Sequence, residues 1–344
     1  MRAAVLRGGR LVVDEIPEPP EPKPDQVVVE VLANGICGTD LHVVADLDGW
    51  WDATERANDL MKLFDRERDV VIGHEFAGRV LRVGAEVGTV AVGDLVYCMP
   101  LAIAPDGALH CLGFSNDYPG GFAERATVDA SMVVPLPDGL RAEHATFLDP
   151  MGVGEYAVNH RARIPAGEPA VVIGTGPVGL GVVAALRRAG ASTIVAVEPT
   201  QLRREAAAKV GADVTVDPGE RSWTEVWAEL GFVGPAYVFD TSGAPGMVPR
   251  LVEEVPMRSV ITSVASGTRE EPLKPSIAVK KDLTIHFAMG GSTEIYARMA
   301  EELVAGRPDV SDLVTTIGLD DVADAFVALR TPTEHVKVAV LPGA

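Results

Sequence analysis

Residues 169–190, PAVVIGTGPVGLGVVAALRRAG, read as a buried strand, a glycine turn and an apolar helix. PAVVIG is a short continuous apolar run and VGLGVVAALRRAG a longer one, with GTGPVG joining them. A GxGxxG pattern is weak alone. Between a strand and a helix it is the fingerprint of a dinucleotide site. Gly174 permits the tight turn, Gly176 lets the backbone approach a pyrophosphate, and Gly179 lets helix and strand pack closely. Pro177 and Val178 begin the helix, whose free N–H groups and partial positive charge would face the phosphates.

The pattern continues downstream. STIVAVE (192–198) is a second strand and QLRREAAAKVG (201–211) a second helix, closed by Gly211. VTVDP, AYVFDTSG and SVITSVAS follow as further apolar strands. Strand–helix alternation with continuous apolar strands predicts an α/β fold, a doubly wound parallel sheet covered on both faces. The second strand ends at Glu198, 19 residues beyond Gly179, near the offset of about 20 at which an acidic residue meets the adenosine ribose. A carboxylate there accepts bonds from a ribose diol and repels a 2′-phosphate, which favours NAD over NADP. Arg203 and Arg204 lie close enough to pair with such a phosphate and count on the other side.

Upstream, the chain reads differently. RLVVDEI and VVVEVLA are β-branched runs split by the rigid PEPPEPKPD, residues 17–25. FAGRVLRVG (76–84) and GDLVYCM (93–99) are also strand-like, and this β-leaning region ends near residue 150. One stretch interrupts it. WWDATERANDLMKLFDRE (50–67) has helical periodicity, with Ala57, Leu60, Met61 and Phe64 on one face and Asp52 as N-cap. From about residue 290 come two helix-like runs, TEIYARMAEELVAG and LDDVADAFVALR, and a last strand, HVKVAVLP.

The 344 residues favour two domains. A formal charge of −19 repels phosphate backbones and anionic lipid heads, which argues against nucleic acid and membrane as partners. Arg7 and Arg10 interrupt the apolar start, and no apolar run approaches the roughly 20 residues of a membrane span. Three scattered cysteines, Cys37, Cys98 and Cys111, are too few for a disulfide framework. A cytoplasmic location is the expectation.

GICGTDLH, residues 35–42, concentrates chemistry: Cys37 as a soft metal ligand, Thr39 as a hydroxyl relay, Asp40 as a supporting carboxylate and His42 as a proton acceptor. A catalytic zinc takes three protein ligands and keeps one position open. Cys37 and His74, in GHE (73–75), supply two, and FLDPMGVGEYAV (147–158) offers Asp149 as a third.

With these motifs in order, the chain resembles the zinc-dependent medium-chain dehydrogenase/reductase family, the alcohol, polyol and threonine dehydrogenases. The likeness runs through GICGTDLH, GHEFAGRVLRVG, VAVGDLV, GGFAERATV, the DP segment, the glycine loop and KVAVLP. It implies a GroES-like β-rich catalytic domain of residues 1–150 and 290–344 and a Rossmann NAD-binding domain of residues 151–289, with the active site in the cleft between them. It implies one catalytic zinc on Cys37, His74 and Asp149, where alcohol dehydrogenases usually carry Cys and polyol dehydrogenases Glu. Glu75 resembles the family's carboxylate beside the zinc, able to replace water on it, and Asp40 would orient His74. The implied reaction moves a hydride between a primary or secondary alcohol and NAD, with the alcohol proton leaving through Thr39, the nicotinamide ribose and His42. Lys337 resembles the family's basic residue near the pyrophosphate. A homodimer or homotetramer follows by analogy. A C=C double-bond reductase of this fold, or a non-catalytic NAD(P)-binding protein, is the alternative. Cys37, Thr39, His42 and His74 argue against both.

Three features depart from the pattern. Cys98 and Cys111, even with His110, cannot make the four-cysteine structural zinc site of many relatives, so none is expected. Cys37 and His74 stand 37 positions apart, and the extra length carries Trp50 and Trp51. These either face the substrate as part of a lid or anchor the inserted helix. Glu155 either contacts a polar substrate or serves as a helix-start carboxylate.

Overall fold

The strand Gln26–Gly35 is the spine of the first of two units in this computed structural model, which describes residues 1–57, 62–104, 107–265, 267–331 and 334–344. One unit holds residues 1–148, 300–306 and 310–344, and the other holds 149–299 and 307–309. In the spine, Val27, Val29 and Val31 point into one core with Phe76, Val80, Val96 and Val128, as alternation requires. The strand pairs antiparallel with Glu75–Val83, Arg125–Asp129 and Lys337–Leu341. Their sheet runs Val133–Pro135, Leu95–Cys98, Glu75–Val83, Gln26–Gly35, Lys337–Leu341, Val314–Gly318. A second core gathers Val5, Ile36, Val43, Phe64, Ile72, Phe122, Phe326 and Val340.

Register does the positioning. Gly35 lies opposite Glu75 on one side and Ala339 on the other. Lys337, two residues before Ala339, shares its face. Three distant segments thus meet beside Gly35. A Cβ there would stand 2.5 Å from Glu75 Oε2 and 2.6 Å from Lys337 Cε, so a larger residue would have to push that paired acid and base aside.

The helix Gly38–Ala45 follows at once, and a second helix, Leu47–Arg56, comes next. This second helix starts earlier than its periodicity suggested. Asp46 is the N-cap and accepts from Gly49 N at 3.1 Å, while Asp52 sits inside the helix and pairs with Arg56. The register is set by Leu47, Trp50 and Trp51, which pack on the second core. Gly49, a poor helix former, hid that stripe in the sequence. Ala57 caps the helix and Phe64 is 3% exposed, while Leu60 and Met61 lie outside the described residues.

The second unit holds the expected parallel sheet. Its order is Val214–Val216, Ile194–Val197, Ala170–Ile173, Tyr237–Asp240, Val260–Ser263, Thr284–Phe287, every pair parallel. Val171, Ile173, Val195 and Val197 face one core, and Ala170, Val172 and Ile194 the other. Two-sided burial is why these strands read as unbroken apolar runs. Ala170–Ile173 and Tyr237–Asp240 are neighbours whose connections leave in opposite directions, so a switch point lies at their carboxyl ends. Residues 290–299, assigned to the first domain from the sequence, group with the second unit. Tyr296 and Arg298 hold them there through Asp149 and Glu155. Among the described residues, no helix is long and apolar enough to cross a membrane.

Candidate metal centre and dinucleotide loop

Cys37 precedes the helix Gly38–Ala45, and Asp40, one turn in, is fully buried. One Asp40 oxygen accepts from Cys37 N at 3.0 Å and the other meets His74 Nδ1 at 3.1 Å. Because an ionised carboxylate only accepts, Nδ1 carries a proton and Nε2 is the nitrogen left to bind a metal. A single carboxylate therefore holds both prospective ligands. His74 is 8% exposed and Glu75, next along, is 1% exposed. Ligand atoms of Cys37, His74 and Glu75 all lie within 4.8 Å of one another, the one such group among the described residues.

Desolvation, with Glu75 nearby, pushes the Cys37 thiol up. Burial alone would depress His74, but Asp40 and Cys37 outweigh it and hold the imidazole well above the ordinary histidine range. Both groups thus hold protons that a cation would displace. A half-buried sulfur beside a largely buried nitrogen and a buried oxygen suits zinc.

Lys337 lies at this centre, 1% exposed, with its ammonium paired to Glu75 and donating to Ile36 O at 3.2 Å. The sequence put it beside the pyrophosphate. Strand pairing across Gly35 carries its ammonium to Glu75. Thr39 and His42 are half-buried and stand three apart on the helix, which puts them on one face.

Trp50 stacks on Phe64 at 5.9 Å and meets Phe114 at 5.2 Å, and Trp51 meets Phe64 edge-on at 5.2 Å. The Arg66 guanidinium covers Trp51 at 4.8 Å. Phe114 continues the series to the His74 ring, 5.2 Å away. The inserted helix thus reaches the metal centre through Phe114. Sequence reading missed Phe114, whose loop has no periodicity to single it out. Cys98 is fully buried in its strand and belongs to the core. His110 bonds Ser115 Oγ at 2.9 Å.

Asp149 and Glu155 belong to the second unit. Asp149 and Pro150 occupy the first turn of the helix Leu148–Glu155, where proline is tolerated. Glu155 is the last residue of that helix and the N-cap of the π-helical segment Tyr156–Ala162, which follows without a break. It is 6% exposed and accepts from Arg188 at 2.9 Å, Arg298 at 2.8 Å and Asn159 at 2.9 Å.

In the glycine loop, Gly174 has φ +85°, and a Cβ there would meet Ser242 Cα at 2.8 Å. Gly176 caps the helix Pro177–Arg188, with proline in its first turn and no side-chain cap on the free N–H groups. Glu198, 4% exposed, accepts from Thr175 N at 2.9 Å and Thr200 N at 3.0 Å, so it also braces the loop. Arg204 donates to Glu198 O and Pro199 O and pairs with Asp217. Arg203 differs. Its Nε is buried without a partner, burial lowers its pKa against the pull of Glu198, and its guanidinium comes within 3.6 Å of where a Gly176 Cβ would be. An uncapped helix start, a glycine turn and an orphaned guanidinium N–H fit a phosphate-bearing dinucleotide.

A family model described as an alcohol dehydrogenase GroES-like domain matches residues 23–138, and one described as a zinc-binding dehydrogenase matches residues 177–305. The (R,R)-butanediol dehydrogenase of Bacillus subtilis is 31% identical over 356 residues, covering 99% of this chain and 100% of that protein. The chain belongs to the medium-chain dehydrogenase/reductase family. The L-threonine 3-dehydrogenase of Pyrococcus furiosus is 29% identical, with 94% of this chain and 92% of that protein covered. The crystal structure of the Bacillus subtilis 2R,3R-butanediol dehydrogenase superposes with a TM-score of 0.83 at 28% identity, covering 99% of both chains. A zinc-binding dehydrogenase homologue from Sinorhizobium meliloti 1021, bound to NADP, superposes with a TM-score of 0.82 at 25% identity, again covering 99% of both. As a medium-chain dehydrogenase/reductase, the chain is an oxidoreductase of the alcohol dehydrogenase type. Its β-rich unit is GroES-like and its parallel-sheet unit Rossmann-like.

Proposed function

We propose that this chain is a zinc-dependent, NAD-linked alcohol dehydrogenase that interconverts a primary or secondary alcohol with its aldehyde or ketone. Cys37, His74 and Asp149 hold one catalytic zinc. The observation that carries the reading is Asp40, a buried carboxylate that fixes Cys37 and His74 together. When bound, zinc supplies Lewis acidity toward the alcohol oxygen and NAD accepts the hydride.

The chain's own residues do the rest. Asp40 keeps His74 in the tautomer that presents Nε2. Glu75 sits beside the ligands with its charge balanced by Lys337. The Thr39 hydroxyl accepts the proton released by the alcohol, and His42, on the same helix face, passes it to solvent. An imidazole suits that task because its ordinary pKa lies near neutrality. Glu198 meets the adenosine ribose and Gly176 the pyrophosphate, so the cofactor is NAD. Arg203, with its unpartnered Nε, is the observation favouring NADP.

Metal analysis with NADH formation across a panel of diols, polyols, amino alcohols and cyclic alcohols, with and without chelator, tests the reading. One zinc per chain and chelator-sensitive oxidation are expected. Well under one zinc per chain sinks it. A higher kcat/KM with NADP transfers the cofactor assignment from Glu198 to Arg203.

A further inference from the structure

The Tyr296 hydroxyl lies 3.0 Å from Asp149 Oδ1. Tyr296 comes from the helix Thr293–Val304 and is 2% exposed. Its ring occupies a slot made by missing side chains. A Cβ at Gly152 would stand 2.4 Å from Tyr296 Cε1, and one at Gly291 would stand 3.1 Å from its Cζ. Gly152 is three residues after Asp149 on one helix, so the two positions share a face. A ring resting on Gly152 is therefore directed at the Asp149 carboxylate. A buried tyrosine hydroxyl needs a hydrogen-bond partner, and here that partner is the carboxylate assigned above to zinc.

We propose that Tyr296 is a positioning residue that fixes Asp149 for metal binding. This role rests on the assignment of Asp149 as the third zinc ligand. A thiolate offers one donor atom, whereas a carboxylate offers two oxygens on a terminal torsion with broad preference. Zinc needs one oxygen at about 2.0–2.2 Å, so a rotating carboxylate is a poorly defined ligand. The Tyr296 hydroxyl takes Oδ1 and leaves Oδ2 for the cation. The ring slot keeps that choice the same in every molecule, as hydrogen-bonded partners of metal ligands do elsewhere.

Tyr296→Phe keeps the ring and removes only the hydroxyl. Zinc affinity, by competition with a chromophoric chelator, should weaken about 10- to 100-fold. The visible spectrum of the cobalt(II)-substituted protein should shift, and NADH binding by fluorescence should stay within about two-fold. Unchanged zinc affinity with an unchanged cobalt spectrum overturns the role. So does an NADH loss as large as the zinc loss, which marks a structural effect. Asp149→Asn separates the two layers. If it keeps full zinc affinity, the ligand assignment falls and Tyr296's role with it. If it loses zinc while Tyr296→Phe does not, only the role of Tyr296 falls. Should Tyr296→Phe not fold, Gly152→Ala carries the test, because its methyl displaces the ring and its hydroxyl from Asp149 while removing neither polar group. Weaker zinc binding is then expected, and unchanged zinc binding overturns the proposal.

Discussion

The metal centre and the glycine loop solve opposite problems. The loop is continuous in sequence and offers backbone N–H groups, so its requirements are conformational: a positive φ at Gly174 and an uncapped helix start after Gly176. The centre is drawn from residues 37–40, 74–75 and 337, and its requirements are electrostatic. Asp40, Glu75 and Lys337 are all within 1% of complete burial, which is tolerable only because each has a partner. A site built from backbone is sensitive to shape, and one built from buried charge is sensitive to the loss of any single partner.

Substitutions can break that contrast. The largest effect should come from Cys37→Ser. Activity should fall by on the order of 10³-fold or more, as several kcal/mol of Lewis-acid stabilisation disappear, while NADH binding stays intact. Loss of both together would mean the two sites are not separable. Lys337→Met should cost about 3–5 kcal/mol by removing the buried cation that balances Glu75, and the double variant with Glu75→Gln should recover most of it. Chemical denaturation measures both, and a double variant no more stable than Lys337→Met would remove the pairing argument.

Gly174→Ala should cost about 1–2 kcal/mol from its left-handed backbone, with weaker NADH binding and zinc content unchanged. A pH series sharpens the electrostatic side. With His74 and Cys37 both raised, the metal-free native state holds protons that the unfolded chain releases. Its stability from these groups is full below the ordinary histidine value of about 6.5 and fades as pH rises toward the raised native values. Zinc displaces those protons and binds more tightly over the same range. The Tm gap between zinc-loaded and chelated protein should therefore widen from pH 6 to 9, and a narrowing gap would reject these ligands. The smallest effect tests the inserted helix: Asp46→Ala should cost about 1 kcal/mol as a lost N-cap, whereas Asp52→Ala should change stability by no more than about 0.5 kcal/mol.

Legibility followed the same division. The parallel sheet was readable because burial on both faces leaves runs such as AVVI and IVAV with no polar residue. The glycine loop was readable because its neighbours in sequence are its neighbours in space. The pairing of Lys337 with Glu75 was not legible because a lone lysine in an apolar strand does not state its partner. The inserted helix was misregistered because Gly49 interrupts Leu47, Trp50 and Trp51. Glu155 was ambiguous because Arg188 and Arg298 lie far along the chain.

By itself, the sequence determined the strand–helix alternation, the glycine fingerprint and the residue types able to hold a metal, since each depends on local spacing and side-chain chemistry. Only the tertiary structure decided which charges meet: Asp40 with His74, Glu75 with Lys337, Asp149 with Tyr296. Those pairings follow from strand register and helix packing between distant segments, and the Coulomb and desolvation energies that reward them act only once the segments are buried together.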